Sequence, residues 1–324
     1  MAVYTEVSFA EAASLIGGLG IGELRELTAC AGGIENTNYF ATTSRGRYVL
    51  TLFERLTAAE LPFYLHLMKH LADRGQPVPG PQADRSGSIL LSLMGKPAAV
   101  VDRLPGEHHL APDAADCAAV GAVLAGLHVA GRDFALVQPN LRGLAWWTET
   151  VPAVMPHLDG ETARLMADEL AFQRLLGGSA AFAALPRGVV HGDLFRDNVL
   201  FEGDRHAGVF DFYFAGVDCL IFDIAVALND WCIDLDSGRL DEDRATAFVD
   251  AYHAVRALDA GELRLLPALM RAAAFRFWLS RVWDAELPRD ALVLTAHDPR
   301  HFERVLRQRR DSPWHPAGQA EAAA

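Results

Sequence analysis

Lysine is nearly absent from the sequence. Among 29 basic side chains only Lys69 and Lys96 are lysines, and all the others are arginines. The chain of 324 residues carries 42 acidic side chains and a net charge of −13. Proteins that neutralise nucleic-acid phosphates have a basic excess, so we expect no nucleic-acid partner. A nucleotide is compatible with this charge, because it needs only a few local donors and a metal ion.

Long apolar runs and paired cysteines are also missing. No stretch of about 18 apolar residues occurs, so we expect no membrane-spanning helix. The first residues lack the basic and apolar regions of a signal peptide. The four cysteines form no C-x-x-C pair, and three stand in apolar runs, as buried reduced thiols do (Cys30, Cys117, Cys219, Cys232). These features predict a soluble cytoplasmic protein with no membrane partner.

The length and a change of pattern along the chain predict two domains. Short runs of β-forming residues, separated by glycine-containing turns, predict strands at 23–30, 37–44, 47–54, 88–93 and 98–104. A capping box of Thr57 and Glu60 opens a helix that ends near Gly75. The chain after Pro105-Gly106 has mostly helical periodicity, apart from residues 188–216. We therefore predict an N-terminal domain at residues 1–104 and a larger, mainly helical domain at residues 105–324.

The segment His191-Gly-Asp-Leu-Phe-Arg-Asp-Asn198 has the strongest chemical signal. Apolar residues flank it, so a predicted strand enters a polar loop and a second strand leaves it. Eighteen residues after Asp193, another apolar run ends at Asp211. Phosphoryl transfer needs these groups: a carboxylate that positions and deprotonates a hydroxyl, and oxygen ligands for Mg²⁺. The alternative is a turn in which Asp193 and Asn198 cap local backbone groups.

This pattern resembles the catalytic and metal-binding loops of the protein-kinase-like phosphotransferases, in the aminoglycoside phosphotransferase-like branch that has glycine after the histidine. The order of a strand-rich first lobe, a connector and a helical second lobe matches over nearly the whole chain. Three segments resemble the bacterial homoserine kinases of this branch, namely residues 33–39 (GIENTNY), 48–54 (YVLTLFE) and 275–281 (FRFWLSR). The resemblance implies an α+β, two-lobe protein-kinase-like fold, with a small sheet-plus-helix N-lobe and a mainly helical C-lobe.

The resemblance also implies roles for individual residues. Asp193 would be the catalytic base, and Asn198 and Asp211 would hold Mg²⁺, with ATP as co-substrate. The nucleotide loop would run from Gly32 to Asn38, with its N–H groups facing the phosphates. The residues implied in nucleotide binding are Gly32, Gly33, Asn36, Asn38, Val101 and Arg103. Without a full G-x-G-x-x-G pattern, the loop segment is equally compatible with a plain hairpin turn.

One position departs from the general kinase pattern. The third strand of a kinase presents a lysine to the α- and β-phosphates, whereas Thr51 occupies that place here. Lys69 and Lys96 stand in the wrong segments to replace it. The homoserine kinases of this fold are similar in having threonine there, so the absence favours that family.

Binding of an amino acid needs arginine for the carboxylate and an acidic or aromatic group for the ammonium. Arg276 and Arg281 lie in an aromatic-rich helical run, and Asp230-Trp231 follows another buried run. The two arginines are five residues apart and point in different directions, so we expect one to bind the substrate and the other to be structural. The sequence favours Arg281, because an aromatic wall follows it. Ion pairing between the lobes is the alternative.

Two further residues have predicted supporting roles. Asp223 lies in a buried helical run, where an unpaired carboxylate would cost several kcal/mol, so it must have hydrogen-bond donors. We expect it to brace the catalytic loop. His128 closes an amphipathic helix and is expected to be a capping or packing residue.

The resemblance implies ATP-dependent phosphorylation of the hydroxyl of L-homoserine to O-phospho-L-homoserine, in threonine biosynthesis. Two alternatives stay open. One is a related small-molecule kinase acting on choline, an aminoglycoside or another amino alcohol. The other is a nucleotide-binding pseudokinase, motivated by the missing lysine, although intact Asp193, Asn198 and Asp211 count against it. The oligomeric state is not predicted.

Overall fold

The computed structural model describes residues 5–30, 36–203, 205–287 and 297–316. The chain divides into two compact units, one formed by Met1–Gly106 with Ala207–Phe210 and the other by Glu107–His206 with Asp211–Ala324. The N-terminal domain predicted from the sequence, residues 1–104, does not include the segment Ala207–Phe210. That segment joins the first unit through contacts distant in sequence, such as the bond from the N–H of Val209 to the carbonyl of Pro77 (2.8 Å).

The first unit contains one antiparallel sheet and two helices. The strands follow the spatial order β1-β2-β3-β5-β4, and each pairs with its neighbour in the antiparallel sense. In chain order the elements are α1 (Phe9–Leu19), β1 (Leu24–Ala29), β2 (Asn36–Thr43), β3 (Arg47–Phe53), α2 (Leu61–Asp73), β4 (Leu91–Leu93) and β5 (Lys96–Asp102).

The two central strands have one apolar face and one mixed face. Tyr39 pairs with Leu50, and both are buried in the same hydrophobic cluster as Ile16 of α1. Burial of a leucine-sized side chain contributes about 1.5–3 kcal/mol, so this face stabilises the unit. Because side chains alternate along a strand, Asn38 and its partner Thr51 lie on the opposite face.

Helix α1 is absent from the sequence-based predictions. Its N-terminus is a capping box, in which Ser8 and Glu11 bond to each other's backbone N–H groups. Gly17 and Gly18 lower the helix propensity of its second half. The burial of one face against the sheet outweighs that cost, through Ala12, Ile16 and Leu19.

The second unit is mainly helical, and its described part contains the strands β6, β7 and β9, while β8 runs from it into the segment Ala207–Phe210 of the first unit. The strands form two two-stranded sheets, β6-β9 and β7-β8. The helices are α3 (Ala114–Ala130), α4 (Leu144–Val154), α5 (Gly160–Gly177), α6 (Ala180–Ala183), α7 (Leu220–Trp231), α8 (Glu242–Val255), α9 (Ala260–Glu286) and α10 (Arg300–Asp311). The strands are β6 (Arg187–Val190), β7 (Val199–Glu202), β8 (Arg205–Val209) and β9 (Gly216–Cys219).

Helices α7 and α9 pack against each other and carry the predicted substrate residues, Asp230 and Trp231 on α7 and Arg276 and Arg281 on α9. Every residue of α7 is buried, and its Asn229 donates a side-chain hydrogen bond to the carbonyl of Met270 on α9 (2.7 Å). Within the described ranges, no helix has both the length and the apolar character that crossing a membrane requires.

Candidate active site

Asp193 lies in the loop after β6, and Asp223 of α7 holds the backbone of that loop. The Asp223 carboxylate accepts the N–H groups of His191 (2.6 Å) and Gly192 (2.8 Å). Gly192 has a φ of 76°, and a Cβ there would stand 2.8 Å from the carbonyl oxygen of Phe214. Only glycine fits this position without strain. The loop is therefore fixed at the two residues that precede Asp193.

A chain of buried polar groups extends from Asp223. Its carboxylate bonds to Nε2 of His128 (3.1 Å), whose Nδ1 bonds to the hydroxyl of Tyr252 (2.6 Å). Arg256 donates to that hydroxyl (3.2 Å) and to Glu262 (2.9 Å). Burial alone would raise the pKa of Asp223, but the bonds from His128 and the backbone lower it below its usual value. Asp223 is thus an ionised brace, as expected, and His128 supports it rather than serving only as a cap.

The segment after Asp193 is held by Asp230 and Trp231. The Asp230 carboxylate accepts the backbone N–H of Arg196 (2.8 Å) and its Nε (3.1 Å). Trp231 is fully buried, and its Nε1 donates to the carbonyl of Leu194 (3.0 Å). The sequence suggested Asp230 and Trp231 as substrate contacts. In the described contacts each of them holds the main chain of the loop that carries Asp193, and their contact with a substrate stays a prediction.

Asn198 bonds to Asp193, and the charge of Asp211 acts on the same carboxyl group. Asn198 donates its amide N–H to the carbonyl of Asp193 (2.8 Å), and the same nitrogen stands 3.4 Å from the Asp193 carboxylate. Asp211 has a φ of 65°, in the left-handed region. For a residue other than glycine, such a conformation costs on the order of 1–3 kcal/mol and is concentrated at functional sites. The fold therefore maintains strain where the sequence predicted a metal ligand.

The carboxyl group of Asp193 is the titratable group at the centre of this site. Burial raises its pKa to about 7, the nearby positive charge of Arg276 opposes that rise, and the charge of Asp211 adds to it. A carboxyl group with a pKa near neutrality is suited to accept a proton from a substrate hydroxyl.

The donor set fits a magnesium ion. In the described part of the chain, no three His, Cys, Asp or Glu side chains are close enough together to hold a metal alone. Mg²⁺ prefers hard oxygen ligands and is commonly bound by one or two carboxylates, water and substrate phosphates. The amide oxygen of Asn198 and the carboxylate of Asp211 are donors of this kind, and water and nucleotide phosphates would supply the remaining ligands.

The two predicted substrate arginines occupy different surroundings. Arg276 is 4% exposed, and its Nη1 lies 3.4 Å from Oδ1 of Asp193. Arg281 donates weakly to the carbonyl of Asp298 (3.4 Å) and stacks 4.5 Å from the ring centre of Phe302 on α10. These contacts favour Arg276 as the residue nearest the reacting groups. The preference for Arg281 expected from its aromatic neighbours has no support in the described contacts.

The predicted nucleotide loop is described only in part. Gly32 and Gly33 lie outside the described residues. Asn36 and Asn38 stand on β2, one at its first residue and the other two positions further along. The side-chain oxygen of Asn38 accepts the hydroxyl of Thr51 (2.7 Å). Asn38 therefore contacts the threonine that stands in the place of the kinase lysine.

Val101 and Arg103, predicted to receive adenine, belong to the last part of β5 and the residue after it. Val101 pairs with Val49 on β3. Arg103 donates its N–H to the carbonyl of Arg47 (3.0 Å), and its guanidinium lies 3.8 Å from the ring centre of Phe40. A main-chain contact between adenine and Arg103 would therefore use its carbonyl group.

Lys96 does not replace the missing kinase lysine. It contacts the hydroxyl of Thr5 (2.7 Å) and forms an ion pair with Glu54. Thr51 pairs with Ala99 on β5, three residues after Lys96. Because side chains alternate, Lys96 and Ala99 face opposite sides of the sheet. The cation that balances the phosphate charge is therefore not Lys96.

Two arginines of the second unit were not singled out from the sequence. Arg196 stands inside the catalytic motif, so its position next to Asp193 was visible, although its pairing with Asp230 was not. Arg142 stacks on Trp146 and Trp283, with its guanidinium carbon 4.5 Å and 5.3 Å from the ring centres. In the sequence, the only sign of this contact was that Trp146 and Trp147 follow Arg142 by four and five residues.

The strand-rich first unit, the mainly helical second unit and the aspartate–asparagine–aspartate site define a kinase-like phosphotransferase. The model of the phosphotransferase enzyme family matches residues 26–258 of this chain. The chain therefore belongs to the phosphotransferase enzyme family.

Curated relatives refine this assignment. The homoserine kinase of Polaromonas naphthalenivorans is 61% identical, with the match covering 97% of this chain and 99% of the relative. The homoserine kinase of Ralstonia nicotianae is 54% identical, over 95% of this chain and 96% of the relative. Within the phosphotransferase family, this chain falls among the homoserine kinases.

Solved structures support the fold. The amicoumacin kinase hAmiN, in complex with AMP-PNP, Ca²⁺ and Ami, matches with a TM-score of 0.68 at 16% identity, over 98% of both chains. An aminoglycoside phosphotransferase from Alicyclobacillus acidocaldarius matches with a TM-score of 0.66 at 15% identity, over 95% of both chains. The predicted two-lobe kinase-like fold is confirmed.

Proposed function

We propose that this chain transfers the γ-phosphoryl group of ATP to the side-chain hydroxyl of L-homoserine, giving O-phospho-L-homoserine and ADP. The observation that carries this proposal is the environment of Asp193. Burial raises the pKa of its carboxyl group to about 7, Arg276 lies 3.4 Å from it, and the amide of Asn198 contacts it. The homoserine kinases that match nearly the whole chain support homoserine as the acceptor.

In the proposed reaction, Asp193 orients the hydroxyl of homoserine and takes its proton as the oxygen attacks the γ-phosphorus. The bond between that phosphorus and the bridging oxygen breaks, and ADP leaves with the bond electrons. The two buried supports of the loop, Asp223 and Trp231, fix the carboxylate before the substrate arrives. Positioning of this kind accounts for much of the rate in phosphoryl transfer.

Asn198 and Asp211 would hold Mg²⁺. Bound there, the ion would neutralise phosphate charge and fix the direction of the transferred group. The hard oxygen donors of the two side chains support this assignment. The left-handed backbone of Asp211 supports it as well, because such strain persists where a side chain must point in one direction.

ATP is proposed to bind the first unit through Gly32, Gly33, Asn36 and Asn38, with adenine near Val101 and Arg103. The hydrogen bond between Asn38 and Thr51 supports this proposal, because it shows a polar group near the start of β2, next to the place of the kinase lysine. Without the kinase lysine, the phosphates need positive charge from the metal and from arginine.

Arg276 is the proposed partner of the substrate carboxylate. A buried guanidinium costs free energy unless it is paired. Its single contact with Asp193 is long, at 3.4 Å. A carboxylate from the substrate would accept two parallel bonds from the guanidinium, which choline and aminoglycosides lack the group to do.

The working location is proposed to be the cytoplasm. All four cysteines are free thiols, and three of them are buried. Reduced thiols are typical of that compartment. The absence of a nucleic-acid partner stays a prediction from the net charge of −13.

A coupled assay of ADP release tests the proposed function. The purified chain is given Mg²⁺ and ATP with L-homoserine, L-serine, L-threonine, choline or an aminoglycoside. We expect the highest kcat/KM with L-homoserine. A higher kcat/KM with choline or an aminoglycoside would assign the site to a different acceptor, and no ADP release with any of the acceptors would favour the pseudokinase alternative.

A further inference from the structure

The guanidinium of Arg142 packs against two indole rings. Its central carbon lies 4.5 Å from the ring centre of Trp146 and 5.3 Å from that of Trp283. The two indoles meet edge to face, with centres 5.7 Å apart. Cation–π contacts of this kind hold an arginine in one orientation. Since Trp146 belongs to α4 and Trp283 to α9, the position of Arg142 is fixed by two helices.

The backbone around Arg142 is fixed as well. Its N–H donates to Oδ1 of Asn140 (2.9 Å), and its carbonyl accepts Nε1 of Trp147 (2.5 Å). Asn140 donates in turn to Asp218 on β9 (2.9 Å). An arginine fixed at its main chain and at its guanidinium loses little entropy when it binds a ligand. Arg142 is therefore preorganised.

Arg142 belongs to a segment that runs next to the catalytic site. The carbonyl of Gln138 accepts the N–H of Val217, at 2.7 Å, and a Cβ on Gly216 would stand 3.0 Å from the backbone nitrogen of Asn140. Two residues before Gly216 is Phe214, whose ring centre is 5.0 Å from the guanidinium carbon of Arg276. The same short stretch thus contacts both Arg276 and the segment that leads to Arg142.

The second link between the two arginines is α9. Arg276 and Trp283 are seven residues apart, which is two turns, so they share one face of this helix. Trp283 on that face carries Arg142. Burial lowers the pKa of Arg276 to about 10, the negative charge of Asp193 opposes this change, and the positive charges of Arg142 and Arg281 add to it. Arg142 therefore packs on a ring that shares the helix face of Arg276.

A guanidinium held on the same face of α9 as Arg276 supplies a second cation for an anion that binds there. We propose that Arg142 binds the carboxylate of the amino-acid substrate together with Arg276, and so determines that the enzyme accepts an amino acid rather than an amino alcohol without a carboxylate. This inference rests on the proposed function. Arg276 contacts Asp193, where the substrate hydroxyl reacts. In homoserine the hydroxyl oxygen and the carboxylate carbon are four bonds apart, or roughly 5 Å, so the carboxylate lies further along, on the side of Arg142.

A phosphate of ATP is the other anion that two arginines can bind. The two sources differ in what a variant does. Loss of a carboxylate contact raises the KM for homoserine, whereas loss of a phosphate contact raises the KM for ATP. Which of the two KM values rises in a variant therefore shows which anion the site binds.

The experiment compares Arg142→Gln and Arg142→Lys in the full chain, with Arg174→Gln as the matched control. Arg174 is exposed on α5 and outside the site. Each variant is assayed with L-homoserine and with 3-aminopropan-1-ol, which has the same chain, amine and hydroxyl but no carboxylate. The inhibition constant of L-2-aminobutyrate, which has the carboxylate but no hydroxyl, is measured beside them. Melting temperatures report on folding.

Loss of a charge-assisted bond predicts a fall in kcat/KM for L-homoserine of about 10- to 100-fold in Arg142→Gln. The inhibition constant of L-2-aminobutyrate should rise by a similar factor. The KM for ATP and the kcat/KM for 3-aminopropan-1-ol should stay within about threefold of wild type. Arg142→Lys keeps the charge but loses the planar fork, so it should lose at least about fivefold on L-homoserine alone.

Equal losses on both alcohols, or a raised KM for ATP, would overturn the inference, as would unchanged discrimination in either variant. Failure of the proposed function looks different. In that case wild type and Arg174→Gln also fail to phosphorylate L-homoserine.

Discussion

Nη1 of Arg276 lies 3.4 Å from Oδ1 of Asp193, and the arginine is almost completely buried. Each charge opposes the pKa shift that burial causes in the other group: the cation lowers the pKa of Asp193, and the carboxylate raises that of Arg276. Burial still dominates at both, because the pKa of Asp193 is about 7 and that of Arg276 about 10. The pair thus holds a carboxylate that exchanges its proton near neutral pH.

The raised pKa of Asp193 predicts a stability cost at high pH. A carboxyl group whose pKa is higher in the folded chain than in the unfolded one favours folding when protonated, and this contribution is lost as the pH rises from about 4 through about 7. Asn mimics the protonated form. Without metal or nucleotide, Asp193→Asn should therefore melt at a higher temperature than wild type at pH 8, with the difference vanishing near pH 4.

The size of this effect follows from about 1.4 kcal/mol for each unit of pKa shift, so the gain should be on the order of a few kcal/mol. Calorimetry or thermal scans across pH 4–8 provide the measurement. A variant less stable than wild type at pH 8 would mean that the ion pair with Arg276 outweighs burial.

The two proposed metal ligands should differ in strength. Asp211→Asn removes the charged ligand but keeps a residue that tolerates the left-handed backbone. We expect the Mg²⁺ concentration for half-maximal rate to rise about tenfold or more. Asn198→Ala should raise it less, and high Mg²⁺ should partly restore its rate. If the Mg²⁺ dependence of the rate is unchanged in both variants, neither residue is a ligand of the metal.

Replacing Arg276 and Arg281 by lysine, one at a time, distinguishes an arginine that binds the substrate from one that stabilises the fold. Arg276→Lys should raise the KM for L-homoserine about tenfold and leave the KM for ATP nearly unchanged, because lysine cannot form the bidentate contact. Arg281→Lys should leave both KM values near wild type and lower the melting temperature through its lost stacking on Phe302. Steady-state kinetics and thermal scans test both. A raised homoserine KM in Arg281→Lys alone would restore the preference drawn from the sequence.

The brace from Asp223 to the catalytic loop should be costly to remove. Asp223→Ala leaves two backbone N–H groups and His128 without their buried acceptor. We expect a loss of about 3–5 kcal/mol in the free energy of unfolding, together with a strongly reduced kcat. Denaturant titration gives the first value. A variant with wild-type stability and wild-type kcat would show that the loop does not depend on this aspartate.

Local patterns in the sequence were sufficient for much of the fold. The alternation in β3 predicted that strand, the helix predicted to end near Gly75 is α2, and Arg47–Phe53 and Leu61–Asp73 lie within the predicted limits. The capping box expected from Thr57 and Glu60 is not formed, because α2 begins after Glu60, whose carboxylate accepts the N–H (2.9 Å) and the hydroxyl (2.7 Å) of Thr57 and caps no N–H of the helix. The helix at Phe9–Leu19 was missed, because its stability comes from burial against a sheet rather than from its own propensity. Likewise, the segment Ala207–Phe210 joins the first unit through tertiary contacts alone.

The substrate side of the site was harder to predict than the loop. Asp193, Asn198 and Asp211 stand in one motif with recognisable spacing, so they could be selected together. Trp231 and Asp230 look like ligand-binding residues in the sequence, yet they contact the main chain of Leu194 and Arg196 across more than 30 residues. Arg142 stands 134 positions before Arg276 in the sequence, and no periodicity relates the two. Contacts of this range follow from packing, which local patterns do not encode.

The most direct test of the account is the rate of O-phospho-L-homoserine formation by Asp193→Asn, measured beside its affinity for Mg²⁺-ATP. Wild type should form one ADP for each phosphorylated homoserine. The variant should bind Mg²⁺-ATP with near wild-type affinity while kcat falls by at least about 100-fold. A variant that binds the nucleotide normally and keeps a kcat close to wild type would contradict the central claim that Asp193 receives the proton of the substrate hydroxyl.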